Sequence, residues 1–343
     1  MKQNRITYAA LLILISVLLA GCGNKQETQT TTLRVGVVLY TQDDSYINAL
    51  TDCLKQDLES MESGDLKIIM TVRDGEGDQS TQDDVVEEMI DAGCDVLCVD
   101  LVDRTAPSQI IEMAKNEDIP VIFFNREPVR EDLMQWEKLY YIGADAQQSG
   151  EMQGEIAADV IRANPEVDRN QDGKIQYVLL EGEAGHQDAI IRTDCSVKTL
   201  LEQGIELEKL GYQFADWTRA QAENKMTQFI QQYGDDIELV LANNDEMALG
   251  AVAAYDKLNY SADRRPIIFG IDGLQEVLTA VQEGLIQGTV YQDKEGQALQ
   301  MAKLAVDLYK GNALTQYDFQ DGKYIILPYQ KVDSSNVDDY IAE

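Results

Sequence analysis

The run Asp168-Arg-Asn-Gln-Asp-Gly-Lys-Ile-Gln176 puts oxygen-bearing side chains at its first, third, fifth and ninth positions: Asp168, Asn170, Asp172 and Gln176. Gly173 takes the sixth, where the backbone must turn sharply. Hard cations take oxygen ligands, and this spacing is the first part of a calcium loop of EF-hand type. The pattern then breaks. Its twelfth position, where such a loop supplies a bidentate Glu, is Leu179. A Ca2+ ion held here needs a carboxylate from a distant part of the chain; the alternative is a polar turn rich in Asp and Asn.

A second set of planar polar side chains follows a series of apolar runs. Asp43, Asp44 and Tyr46 come after 33–40, Asn125 ends 119–125, and Gly185-His-Gln-Asp-Ala-Ile-Ile-Arg192 comes after 177–182. Ala242-Asn-Asn-Asp245, Gly270-Ile-Asp-Gly273 and Tyr291-Gln-Asp293 end later runs, and Trp217 lies in a polar connection. Carboxylates and amides bridge neighbouring hydroxyls as matched donors and acceptors. Aromatic faces cover the apolar faces of a sugar ring. The inventory suits a small, uncharged, polyhydroxylated ligand. A phosphate site would want a glycine-rich turn opening a helix, and no GxGxxG or P-loop is present. Each residue also has a plainer role. Asp44, Asp188 and Asp245 are placed to cap a following helix. His186 reads alone as a satisfied surface residue, and Trp217 as a domain-packing one. Their joint placement favours the ligand.

The apolar runs are the elements that must position these groups. Strands are expected at 33–40, 66–72, 95–99 and 119–125, separated by helices at 45–63, 81–92 and 106–116. The order repeats with strands at 175–180, 237–241, 267–271 and 288–291 and helices at 188–203, 220–233, 246–258 and 274–283. A long helix at 294–310 precedes a short β tail ending near Pro328. Near-continuous apolar strands divided by helices predict an α/β protein with two doubly wound parallel-sheet lobes. In such sheets ligands gather beyond the carboxyl ends of the strands, which is where the polar residues fall.

Residues 1–21 read as a leader: Lys2 and Arg5, then a short apolar stretch, then Leu19-Ala-Gly-Cys22. Residues 22–32 are polar and unpatterned, a tether reaching about 17 Å over ten residues. The formal charge of −33 repels phosphate backbones and anionic headgroups, so no nucleic-acid partner is expected. Cys94 and Cys98 share a strand and stand about 13 Å apart, beyond disulfide reach; with Cys53 and Cys195 they read as small buried hydrophobes.

Leu19-Ala-Gly-Cys22 resembles a bacterial lipobox, which implies a lipid on Cys22 and a body held outside the cytoplasmic membrane. Gly182-Glu-Ala-Gly-His-Gln-Asp-Ala-Ile-Ile-Arg192, Phe123-Phe-Asn-Arg-Glu-Pro128, Ala242-Asn-Asn-Asp245 and the Asp168–Gln176 loop together resemble the galactose/glucose-binding proteins. These are type I periplasmic binding proteins of ABC sugar importers, and in some bacteria of chemotaxis. The resemblance covers 33–343. It implies hydrogen bonds to a monosaccharide from Asp44, Asn125, His186, Asp188, Arg192, Asn244 and Asp272, with Trp217 stacked on one sugar face. Tyr46 would meet the other face, where the family has Phe, and Gln292 would make the last polar contact, where the family has Asn. Ca2+ would be held by Asp168, Asn170, Asp172, the Lys174 carbonyl, Gln176 and Glu238, the last from the neighbouring strand. Gln292 adds about 1.5 Å of reach, and the Tyr46 hydroxyl needs a partner if buried.

The resemblance further implies an N-terminal lobe of 33–143 plus 293–329 and a C-terminal lobe of 144–292 plus 330–343. Three crossings near 142–145, 291–294 and 328–331 would form a hinge. A monomer that captures sugar without altering it and docks on ABC permease subunits is expected. The alternatives are an accessory that presents sugar to a chemoreceptor or sensor kinase, and a glycosidase using Asp44, Asp188 and Asp272. A repressor core of similar fold is set aside by the leader and by the missing DNA-binding headpiece.

Overall fold

A computed structural model describes residues 30–341; the expected leader, Cys22 and most of the tether lie outside them. The chain forms two six-stranded sheets. The first has the order β11-β5-β4-β3-β1-β2 and is parallel throughout. Its strands are β1 (Thr31–Leu39), β2 (Leu66–Asp74), β3 (Val96–Val99), β4 (Val121–Phe124), β5 (Leu139–Ala144) and β11 (Tyr324–Leu327). The second has the order β12-β10-β9-β8-β6-β7, built from β6 (Ile175–Glu181), β7 (Leu207–Phe214), β8 (Leu239–Ala242), β9 (Ile267–Phe269), β10 (Gly288–Gln292) and β12 (Tyr329–Asp333). Only β12 runs antiparallel to its neighbour.

The central strands explain the layering. β3 (Val-Leu-Cys-Val), β4 (Val-Ile-Phe-Phe) and β8 (Leu-Val-Leu-Ala) are buried at every position. A strand apolar on both faces must be covered on both, and parallel crossovers put helices there. One core of the first lobe joins β1 to Leu50 and Leu54 of the helix Ser45–Ser60 and to Met301 and Ala305 of Lys294–Lys310. The other joins Val99 and Phe123 to Val86, Met89, Ile110 and Ile111 on the opposite face.

The chain passes between the lobes three times: from β5 to the helix Ala146–Ala163, from β10 to Lys294–Lys310, and at Pro328 between β11 and β12. Pro328 lacks the N–H that would continue a ladder, so the strand breaks there. The details differ from the sequence reading. β1 starts at Thr31 rather than Leu33, because its first residues pair with Leu66 and Lys67. Ala144 stays in the first sheet, and Tyr329 already pairs in the second. β5, β7, β12, the short helix Arg130–Leu133 and the helix Ala146–Ala163 fall where the sequence predicts no element. β7 is half exposed along its length, an edge strand without an apolar run. The longer helix buries Ser149, Gly150 and Gly154 because it packs tightly on Gln187–Glu202: a Cβ at Gly150 would stand 2.9 Å from Arg192 O. Cys94 and Cys98 are buried, whereas Cys53 and Cys195 are only partly so.

Candidate functional site

The ends of β1, β4, β6, β8, β9 and β10 converge on a narrow polar cleft between the lobes. Every residue that the resemblance sets against the sugar lines it: Asp44, Tyr46 and Asn125 from one lobe, and His186, Asp188, Arg192, Trp217, Asn244, Asp272 and Gln292 from the other; Asp43, Asn243, Asp245 and Asp293, at the same strand tips, do not. Tyr40 and Arg126 line it as well and were not assigned. The signal was present: Tyr40 ends the first apolar run, and Arg126 follows Asn125 at the same tip.

On the first lobe, Asp44 caps the helix Ser45–Ser60. Its Oδ1 accepts from Ile47 N (3.0 Å) and its Oδ2 from the Tyr40 hydroxyl (2.7 Å). The Tyr46 hydroxyl accepts from Gln297 Nε2 at 3.1 Å, the partner a buried phenol needs. Asn125 Nδ2 donates to Asp100 Oδ2 at 3.1 Å. Burial pushes the Asp100 carboxyl up to about 7, against the pull of Arg126 and the Asn125 bond. The Arg126 guanidinium lies 3.9 Å over the Tyr40 ring and reaches Glu183 of the other lobe at 2.7 Å.

On the second lobe, His186 caps the helix Gln187–Glu202, its Nδ1 accepting from Asp188 N at 3.1 Å. The proton of the neutral ring therefore sits on Nε2. Burial, then the charges of Arg126, Arg192 and Arg104, hold the imidazole down to about 2, so it stays neutral. Burial raises the Asp188 carboxyl, opposed by the same three arginines. It raises Asp272 well above the usual carboxylate range, opposed mainly by Arg192, whose Nη1 is 3.9 Å from Asp272 Oδ1. Asn244 caps Asp245–Lys257 through Met247 N (3.0 Å) and donates to Trp217 O (3.1 Å). The Trp217 ring lies edge to His186, centroids 5.1 Å apart, and over Gly182, where a Cβ would come within 2.3 Å of the indole.

Capping and cleft-lining thus coincide in Asp44, as expected, and also in His186 and Asn244, which cap their helices where Asp188 and Asp245 are expected to; Asp245 instead accepts from Leu274 N and the Thr289 hydroxyl. The wall presents donors and acceptors together. His186 Nε2–H, Gln292 Nε2 and the Asp188 carboxylate meet no hydrogen-bonding partner among the described residues. Two arginines face three carboxylates, which suits an uncharged ligand with several hydroxyls.

The Asp168–Gln176 loop lies apart from the cleft, before β6. Glu238, just before β8, reaches it because β6 and β8 pair. Its Oε1 accepts from Arg169 N (2.6 Å) and its Oε2 from Gln176 N (3.1 Å). Within the loop Asp168 accepts from Gly173 N (2.9 Å), Asn170 from Asp172 N (2.8 Å) and Asp172 from Lys174 N (2.8 Å). Each oxygen keeps a second lone pair. Glu238 is 1% exposed and pairs with no Lys or Arg side chain among the described residues. A buried carboxylate without a cation, beside side-chain oxygens on one turn, is donor chemistry that fits a hard cation. Among the described residues no group of three or more His, Cys, Asp or Glu side chains forms a metal-holding cluster. Amide and backbone oxygens of Asn170, Gln176 and Lys174 make up much of this donor set instead.

A family model described as a periplasmic binding protein domain matches residues 35–313. The D-galactose/methyl-galactoside binding periplasmic protein of Haemophilus influenzae is 35% identical over 312 residues, covering 90% of this chain and 92% of that protein. A ribose import binding protein of Bacillus subtilis is 27% identical, over 80% of this chain and 79% of its own length. Among solved structures, an ABC transporter solute binding protein of Bacillus halodurans with bound myo-inositol has a TM-score of 0.73 at 28% identity, over 90% of this chain and 96% of that one. With a family match over most of its length and a relative aligned across 90% of it, the chain belongs to the periplasmic binding proteins, which bind solutes rather than transform them.

Proposed function

We propose that this protein captures a monosaccharide of the D-galactose/D-glucose class between its lobes and delivers it to an ABC importer. One observation carries the reading: the cleft offers His186 and Gln292 as free donors and Asp188 as a free acceptor, with Tyr46 and Trp217 supplied by opposite lobes. A ring bearing several hydroxyls and apolar faces answers all of these at once. Residues of both lobes reach the same ligand only when the lobes are together, so the sugar favours closure about the three crossings. Hydrogen bonds to charged groups contribute about 1.5–3 kcal/mol each, offset by ordering costs, so tight capture needs no chemistry. The galactose/glucose class rests on the relative of 35% identity.

Calcium is proposed for the Asp168–Gln176 loop, held by Asp168, Asn170, Asp172, the Lys174 carbonyl, Gln176 and Glu238. It would neutralise the carboxylates and pin the loop to β8, a stabilising role only. A lipid on Cys22 would hold the body at the outer side of the cytoplasmic membrane; among the described residues no helix is long and apolar enough to cross one. Delivery is preferred to sensing because the Bacillus subtilis relative is an import protein.

Calorimetry against D-galactose, D-glucose, D-ribose and myo-inositol tests the reading. A hexose is expected to bind at about 1 μM or tighter. Heat from ribose or inositol alone moves the class, and silence from the whole panel overturns sugar capture.

A further inference from the structure

Tyr329 is not part of the cleft wall, yet its hydroxyl touches a guanidinium that is. Arg192 Nη2 donates to Tyr329 Oη at 3.0 Å and to Gln292 Oε1 at 3.3 Å, while Nη1 donates to Asn243 O at 2.8 Å. Three of the five N–H donors are thus used, and the buried Nε is the guanidinium nitrogen without a protein partner. The groups that hold Arg192 sit on the paths between the lobes. Gln292 ends β10, just before the second crossing. Tyr329 opens β12, just after the third, and is the direct ladder partner of Gln292. Tyr329 N donates in turn to Gln148 Oε1 at 2.7 Å, on the helix that follows the first crossing. All three crossings therefore meet at Tyr329, the first through its backbone N–H and the second through the ladder, and the residue is 3% exposed.

We propose that Tyr329 is the positioning residue that ties Arg192 to the hinge, so that a ligand held by Arg192 and the disposition of the three crossings bias each other through the Tyr329 hydroxyl. This rests on the cleft holding a sugar. A guanidinium is a rigid planar fork, so fixing its Nη end fixes the direction of its Nε–H. Bending at the crossings that shifts the adjoining ends of β10 and β12 moves Gln292 and Tyr329 against Arg192 and turns that fork. By reciprocity, a ligand that holds the fork favours one arrangement of the crossings.

Tyr329→Phe removes the hydroxyl and keeps the ring. The variant is expected to fold, with its circular dichroism unchanged, and to bind the sugar found for the wild type about tenfold more weakly or worse. Its dissociation, followed by Trp217 fluorescence in a Trp136→Phe background, should be correspondingly faster. Arg192→Lys keeps the charge but loses the fork. Because Tyr329 acts through Arg192, adding Tyr329→Phe to Arg192→Lys should cost less than about twofold more. A merely structural Tyr329 would instead give additive losses. Additive losses, or wild-type affinity in Tyr329→Phe, overturn the proposal and leave sugar capture standing. A wild-type protein that binds no sugar overturns both. Should Tyr329→Phe not fold, Gln148→Ala cuts the tie to the first crossing outside the cleft. Weaker binding with faster release supports the proposal there, and unchanged binding overturns it.

Discussion

Asp272 holds a φ of 133°, where glycine is at ease and other residues are strained by about 1–3 kcal/mol. Its carboxyl is also buried and desolvated. Both costs fall on one residue of the cleft wall, the expected sign of a position kept for binding rather than for stability. Asp272→Gly should raise stability by about 1 kcal/mol while abolishing sugar binding; thermal unfolding and calorimetry check the two halves, and an unaltered affinity removes Asp272 from the site. At this scale much was legible. The residue types at strand tips marked a wider polar set, and the resemblance picked Asp44, Asn125, His186, Asp188 and Asp272 out of it without a structure. What they do was not, because a side chain's free lone pairs depend on what its neighbours have already taken. Asn244 spends its carbonyl on Met247 and its amino group on Trp217, whereas Gln292 spends only its carbonyl. Asp100, which holds Asn125, stands at a tip by the same rule and was passed over inside the run Cys94-Asp-Val-Leu-Cys-Val-Asp100.

Among the elements, the loop before β6 shows how far local pattern reaches. Its first nine positions were readable because a turn is made by residues close in sequence. The missing ligand was not readable by spacing, since Glu238 lies 69 positions from Arg169, whose N–H it accepts, and arrives only through strand pairing. If the loop holds calcium, chelation lowers the melting temperature by mass action, and the loss deepens with chelator strength. Glu238→Gln should reduce that difference sharply while leaving sugar affinity within about twofold, since it is not a cleft residue. Identical melting with and without chelator, and no metal by elemental analysis, would reduce the loop to a turn. The helix Ala146–Ala163 shows the opposite limit. Its buried face carries small and polar residues, Ser149, Gly150, Gln153 and Gly154, and its tight seat on Gln187–Glu202 explains them.

For the whole molecule, the lobes touch beyond the cleft as well as across it. Arg126 pairs with Glu183 at 2.7 Å, and the Ser45 hydroxyl donates to Glu246 at 2.7 Å, each joining one lobe to the other. Glu183 is 48% exposed, so its pair is screened and contributes at most about 1 kcal/mol. Glu183→Gln should therefore quicken sugar release by about two- to fivefold without changing which sugar binds. Stopped-flow dissociation measures it, and an unchanged rate would mean that closure is held by the ligand alone. The alternation of apolar runs with helical segments determined two parallel α/β lobes and the ends where ligand gathers, because burial and hydrogen bonding within an element are local demands written in consecutive residues. Only the tertiary structure decided which groups across the cleft remain unpaired, that Glu238 accepts from Arg169 N and Gln176 N of the loop, and that Tyr329 joins Arg192 to the crossings. Those contacts span tens to hundreds of residues, and no local pattern encodes the packing that brings them together.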